Sequence, residues 1–195
     1  MALRLLEVIR DSDLPGEVLE EEDPTRTMPR RFGLSDVVER QIRTYKEDVR
    51  KHIRLSEEEI QGLFRFVIRR PDGNEIFEQA GSLLIAPNRQ HYLSRMLSQR
   101  IRIGLARRFA KRRLRRLFGR HIVGFRRRGF VLEGRALVFT EGEPVGGACH
   151  LISGFCRQVI EQVVGVRASV VHTKCQSRAD SICRWELEIL GPLKP

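Results

Sequence analysis

No cysteine precedes Cys149, and no acidic residue lies between Glu78 and Glu133. No apolar run approaches the roughly 18 to 20 residues of a membrane-spanning helix. The opening MALRLLEVIRDSD also reaches charge too soon to hold the apolar core of a secretory signal. The expectation is therefore a soluble, cytoplasmic chain. Missing too are a dinucleotide-binding glycine fingerprint, a G-x-S-x-G elbow and an H-E-x-x-H pair. These absences favour a non-enzymatic role. What is present excludes wholesale disorder, since 41% of the 195 residues are hydrophobic, and the net charge of +11 draws attention to acidic partners.

Three segments are expected. Residues 1–33 mix a short helical stretch near Leu3 to Ile9, an acidic run from Glu17 to Asp23 and several prolines, which reads as a flexible arm. Residues 34–70 read as helical. Ser35 is a cap candidate before Val38, Ile42, Tyr45 and Val49, and Ser56 with Glu59 forms a capping box before Ile60, Leu63, Phe64 and Val67.

Residues 71–195 carry the remaining elements, opening on the turn signal Pro71-Asp72-Gly73-Asn74, with a second at Ala86-Pro87-Asn88. The stretch between these turns suits a helix or a strand. A long helix is expected from Tyr92 to Phe118, with Leu105, Phe109, Leu114 and Leu117 among its apolar positions, a break near Gly104 and a stop at Gly119. Strands follow at 121–125, 129–132 and 135–140, joined by turns at Arg126-Arg127-Arg128 and Glu133-Gly134. A helix opened by Gly146-Gly147 and closed by Gly165 then leads to strands at 166–172 and 182–190. The fold class is α+β: helices packed on a small antiparallel sheet, preceded by N-terminal helices.

All four cysteines fall in the last quarter, as C-x22-H-x2-C-x7-C over Cys149, His172, Cys175 and Cys183, with Cys156 inside the intervening helix. Zinc takes four N/S ligands in a tetrahedron, and His172 with Cys175 can supply two of them from one strand end. Other readings stand beside this one. Any cysteine can be a small core residue, the better reading for Cys156; Cys175 and Cys183 can form a redox pair; and His150 is an alternate ligand.

The stretch from Gly146 to Ile189 resembles the C-terminal half of the 4-vinyl reductase (V4R) domain family. The features that carry the likeness are Cys149, Gly154, Cys175, Cys183 and Trp185, with His172 where the family has an acidic residue and Ala179 where its loop has a glycine. The family includes phenol-sensing domains of transcription activators and is related to vesicle-tethering TRAPP subunits. The resemblance implies a structural zinc at Cys149, His172, Cys175 and Cys183, so that the metal staples the C-terminal half. It also implies a pocket for a small apolar or aromatic ligand, for which Phe125, Phe130, Val138, Phe139, Phe155 and Val159 are the lining candidates, and a homodimer. The function implied is a sensory, ligand-binding module; the alternative is a TRAPP-like adaptor with no ligand.

Arginine dominates the segment without acids. Arg107, Arg108, Lys111, Arg112, Arg115 and Arg116 make one helix strongly basic. Such a helix fits an acidic protein partner, an anionic surface, nucleic-acid phosphates, the chain's own acidic run or plain solvation. Aromatic residues for base stacking are few here and no nucleic-acid-binding signature appears, so sequence-specific recognition is not expected.

Overall fold

The computed structural model describes residues 1–13, 24–51, 53, 56–85, 97–126, 129–135 and 146–192, the side chains of 24–36, 57 and 120 excepted. Two compact units are present, Met1–Leu63 and Phe64–Pro195.

In the first unit, α1 (Ala2–Asp13) packs on α2 (Pro24–Arg50). Leu5 and Ile9, one turn apart, are fully buried along with Leu6 and Val8, so this segment is a longer and better anchored helix than the short stretch expected within an arm. The acidic run lies outside the described residues. Helix α2 begins at Pro24 and passes through Ser35, which is therefore not its cap. Val38, Ile42 and Tyr45 are buried as their spacing predicts, whereas Val49, near the helix end, is exposed. The capping box at the start of α3 (Glu57–Ile68) forms as expected: the Glu59 N–H donates to Ser56 Oγ at 3.2 Å, and the Ser56 N–H donates to Glu59 Oε2 at 2.8 Å.

The second unit carries the sheet. Its strands β1 (Ile122–Phe125), β2 (Val131–Gly134), β3 (Val166–Lys174) and β4 (Cys183–Pro192) are all antiparallel to their neighbours, in the order β1-β2-β4-β3. The expected turn at Glu133-Gly134 is instead the end of β2, paired with Arg184 and Cys183 of β4. The Glu133 carboxylate supports this strand end, because it accepts from Arg126, just past β1, at 2.8 Å and from Arg184 on β4 at 3.1 Å. Burial pushes that carboxyl up, but the hydrogen bonds from the two arginines outweigh it and hold the group below its usual range. Residues 136–140, expected as a third strand of this group, lie outside the described residues, as do Val138 and Phe139.

Helix α6 (His150–Val164) is the hub: α4 (Gly73–Leu83), α5 (Gln99–Phe118) and β3 all pack against it. The α4 crossing is backbone on backbone. A Cβ at Gly81 would lie 2.0 Å from the Leu151 carbonyl oxygen, and one at Gly154 would lie 1.9 Å from that of Glu78. Gly165 takes the left-handed conformation (φ 73°), and its N–H donates to Ile160 and Glu161, which ends α6 where expected.

Helix α5 runs unbroken through Gly104, and its buried line is Ala106, Ala110, Leu114 and Phe118. Leu105 and Phe109, expected on the core side, are exposed, and Leu117 is only half-buried. The reason is size: two alanines let the helix axes approach closely, and a pattern scored on large apolar residues passes over them. Tyr92 and Met96, the expected start of this helix, and the Ala86-Pro87-Asn88 turn fall outside the described residues.

Candidate metal centre

Four ligand-type side chains converge at one end of α6. Cys149 ends the 3-10 turn Gly147–Cys149 that leads into the helix, His172 sits near the end of β3, Cys175 follows that strand, and Cys183 opens β4. One donor atom from each lies within 4.8 Å of all the others, with Cys149 Sγ 4.0 Å from Cys175 Sγ. The three cysteines are buried and His172 half-buried. This Cys3His group can hold a metal ion.

Local sequence explains the convergence. Gly146, at φ 76°, turns the chain into the 3-10 segment, and a Cβ there would lie 2.6 Å from Cys175 Sγ. Glycine is thus required twice over, by conformation and by space. On the other side the chain forms a tight knuckle. The Cys175 carbonyl accepts from the N–H groups of Arg178 (2.9 Å) and Asp180 (3.1 Å), and the Asp180 carboxylate accepts from the Cys175 N–H at 2.8 Å. The Gln176 N–H donates to Cys183 Sγ at 3.4 Å, the kind of support that stabilises a thiolate.

Trp185 locks the remaining two ligands. It is directly opposite His172 in the β3–β4 register, and its ring stacks on the imidazole at 4.9 Å between centroids. Its indole N–H donates to the Cys149 carbonyl at 3.2 Å. His172 Nε2 is buried and has no hydrogen-bond partner among the described residues, an arrangement that costs free energy unless something else binds the nitrogen.

The sulfurs are unequal. The hydrogen bond from the Cys149 thiol holds Cys183 down at about 5, with help from His172 and the Gln176 N–H against the opposing effect of burial. That same hydrogen bond, together with burial, pushes Cys149 up. Of these sulfurs Cys183 is the one whose surroundings favour the deprotonated form that a metal requires of its sulfur ligands. Burial alone pushes Cys156 up; it is fully enclosed on α6 and stands outside the group. His150 is also outside it, and burial lowers its imidazole despite the nearby Glu78 carboxylate.

Ala179 takes a left-handed conformation, φ 66°, the only non-glycine residue to do so among the described residues. Only glycine occupies this region without strain. Ala179→Gly should therefore raise stability by about 1 kcal/mol and leave metal content unchanged. Denaturant melts of the variant and wild type, both prepared with zinc, check this, and equal midpoints would show that the knuckle holds Ala179 without strain.

The other expected site residues divide. Phe125 and Phe130 meet edge to face at 4.5 Å, and Phe155 and Val159 are fully buried along α6. Of the basic residues, Arg107 donates to the Arg126 carbonyl and lies over the Phe125 ring, while Arg115 donates to the Val123 carbonyl at 3.4 Å. Lys111 runs past Gly124. These three, at four-residue spacing, lie along β1, which is an edge strand among the described residues, and cover it. Arg108, Arg112 and Arg116 are exposed.

Sequence reasoning places Asp180 in the polar connection from Cys175 to Cys183 but does not assign Gly146 or Trp185 to the support of the centre. A double glycine just before a cysteine and a tryptophan two residues after another were the available signals. Among the described residues no helix is long and apolar enough to cross a membrane. Comparison with family models, curated proteins and solved structures finds no match for this chain.

Proposed function

We propose that this chain is a non-enzymatic, small-molecule-binding sensory module whose C-terminal half is stapled by a structural zinc. The observation that carries the reading is the Cys3His set, drawn from a helix start and two strands around a buried His172 Nε2 that has no partner among the described residues. Thiolate and imidazole donors together favour zinc. Ligands about 2.0 to 2.3 Å from a shared zinc stand roughly 3.3 to 3.8 Å apart, so the observed donors need only a small inward movement. When bound, the metal would tie the start of α6 to β3 and β4. Four protein ligands leave no position for substrate, which assigns the zinc to folding.

The sensory half of the proposal rests on the resemblance to 4-vinyl reductase domains across Gly146 to Ile189. The α+β architecture is compatible with it, and Phe125, Phe130, Phe155 and Val159 are available as apolar wall for a small aromatic or aliphatic ligand. Homodimerisation and a reducing, cytoplasmic setting belong to the same proposal.

Native mass spectrometry of the purified chain tests it. The expected spectrum shows a dimer with one zinc per chain and a further small-molecule adduct that leaves on mild activation. Zinc without any adduct, including after incubation with phenol and simple alkylbenzenes, would remove the sensory role and favour an adaptor. A chain free of both would remove the whole reading.

A further inference from the structure

Helix α5 presents three stripes, and the fold uses two. Ala106, Ala110, Leu114 and Phe118 are buried in the second unit, and Arg107, Lys111 and Arg115 cover β1. The third stripe faces outward: Ile101, Leu105 and Phe109 are 50%, 40% and 40% exposed, at the four-residue spacing that aligns them along about 12 Å of helix. Beside them run Arg108, Arg112 and Arg116, with Arg113 at the margin, all exposed and none hydrogen-bonded or ion-paired among the described residues.

We propose that this outward face of α5 is a peripheral docking surface for a bilayer rich in anionic lipid. Charge complementarity is the first argument. Guanidinium groups bind lipid phosphates in a forked, two-bond geometry, and the chain carries no carboxylate between Glu78 and Glu133. The apolar line is the second. Ile101, Leu105 and Phe109 sit among the arginines, placed to enter the headgroup and acyl boundary while the guanidinium groups stay at phosphate level.

The small size of the stripe is the third argument. Three side chains fall well short of the roughly 800 Å² per partner that a stable protein interface buries. A membrane asks for less, because shallow apolar insertion adds to the attraction of each cation for the charged surface. Nucleic-acid phosphates would also satisfy the arginines, but they offer nothing apolar to Ile101 and Leu105. The proposal does not depend on the zinc or on a bound ligand.

Vesicle flotation with the full chain tests it, using phosphatidylcholine vesicles with and without about one third phosphatidylserine. Partitioning should be at least about tenfold stronger onto the anionic vesicles and should weaken as salt rises. A Leu105→Ser/Phe109→Ser double variant should partition about tenfold more weakly, and an Arg112→Gln/Arg116→Gln double variant should lose a similar factor and much of the salt dependence. Circular dichroism and metal content matching wild type establish that the variants are folded. Ile101→Ser, with an expected loss of about threefold, replaces the first variant if it does not fold. Equal partitioning onto both vesicles, none onto either, or anionic binding untouched by the loss of Leu105 and Phe109 would overturn the proposal. So would tighter capture by an RNA duplex or an acidic polypeptide than by the vesicles.

Discussion

On the reading that the Cys3His group binds zinc, Cys175→Ala should lose that metal and destabilise the second unit by on the order of 4 kcal/mol, among the largest effects of any single change in this chain. Cys175 is central to the cluster. Its sulfur lies 4.0 Å from that of Cys149, and its backbone carbonyl and N–H hold the knuckle that positions Cys183. With three ligands left, metal affinity falls steeply, and the binding free energy that a structural site contributes to folding goes with it. A strong chelator should bring the wild-type melting temperature down towards that of the variant and leave the variant itself unchanged. Cys156→Ala provides the contrast: it is buried on the same helix but outside the group, so it should cost about 1 kcal/mol through lost packing and keep the metal. Retention of full metal content by Cys175→Ala, or a wild type indifferent to the chelator, would show that these four residues do not form the binding set.

The second large effect runs against helix propensity. Alanine is about 1 kcal/mol better than glycine inside an isolated helix, yet Gly154→Ala should destabilise this protein by about 3 kcal/mol or more. The added Cβ would lie 1.9 Å from the Glu78 carbonyl oxygen, and backbone cannot step aside as a side chain can. Helices α4 and α6 would have to separate, loosening Phe77, Leu151 and Phe155, all essentially fully buried. Gly81→Ala should behave alike, since its Cβ would meet the Leu151 carbonyl oxygen at 2.0 Å. Gly104→Ala, mid-helix in α5 with nothing within 4 Å of the new atom, should instead stabilise by up to about 1 kcal/mol. Three denaturant curves decide the matter. A Gly154→Ala protein as stable as wild type would mean that the crossing can relax at little cost.

How far the amino-acid sequence reaches differs from element to element. The helix from His150 to Gly165 was legible in detail because both ends carry glycine and its apolar residues recur at helical spacing. β4 was legible because Trp185, Leu187 and Ile189 alternate with charge, although only the first of these is fully buried. The end of β2 was misread as a turn. Glu133-Gly134 has turn chemistry locally, and its place in the sheet depends on Arg126 and on the distant Arg184, which no local pattern reveals. The facing of α5 was misjudged because its buried line starts with two alanines, which a pattern scored on large apolar residues passes over.

For the candidate centre, residue types and spacing were enough to single out Cys149, His172, Cys175 and Cys183, because few arrangements of thiols and imidazole suit a metal and these four fall near predicted element ends. Their meeting within 4.8 Å is a property of the tertiary structure. It depends on β3 and β4 pairing in a register that sets His172 opposite Trp185, and on a turn at Gly146 that brings the start of α6 against Cys175. The sequence could say which side chains are chemically able to share a metal, since that follows from residue type. Only the fold could say that they do come together, and which arginines of α5 serve strand β1 and which face outward, because distance and burial arise from contacts between segments far apart along the chain.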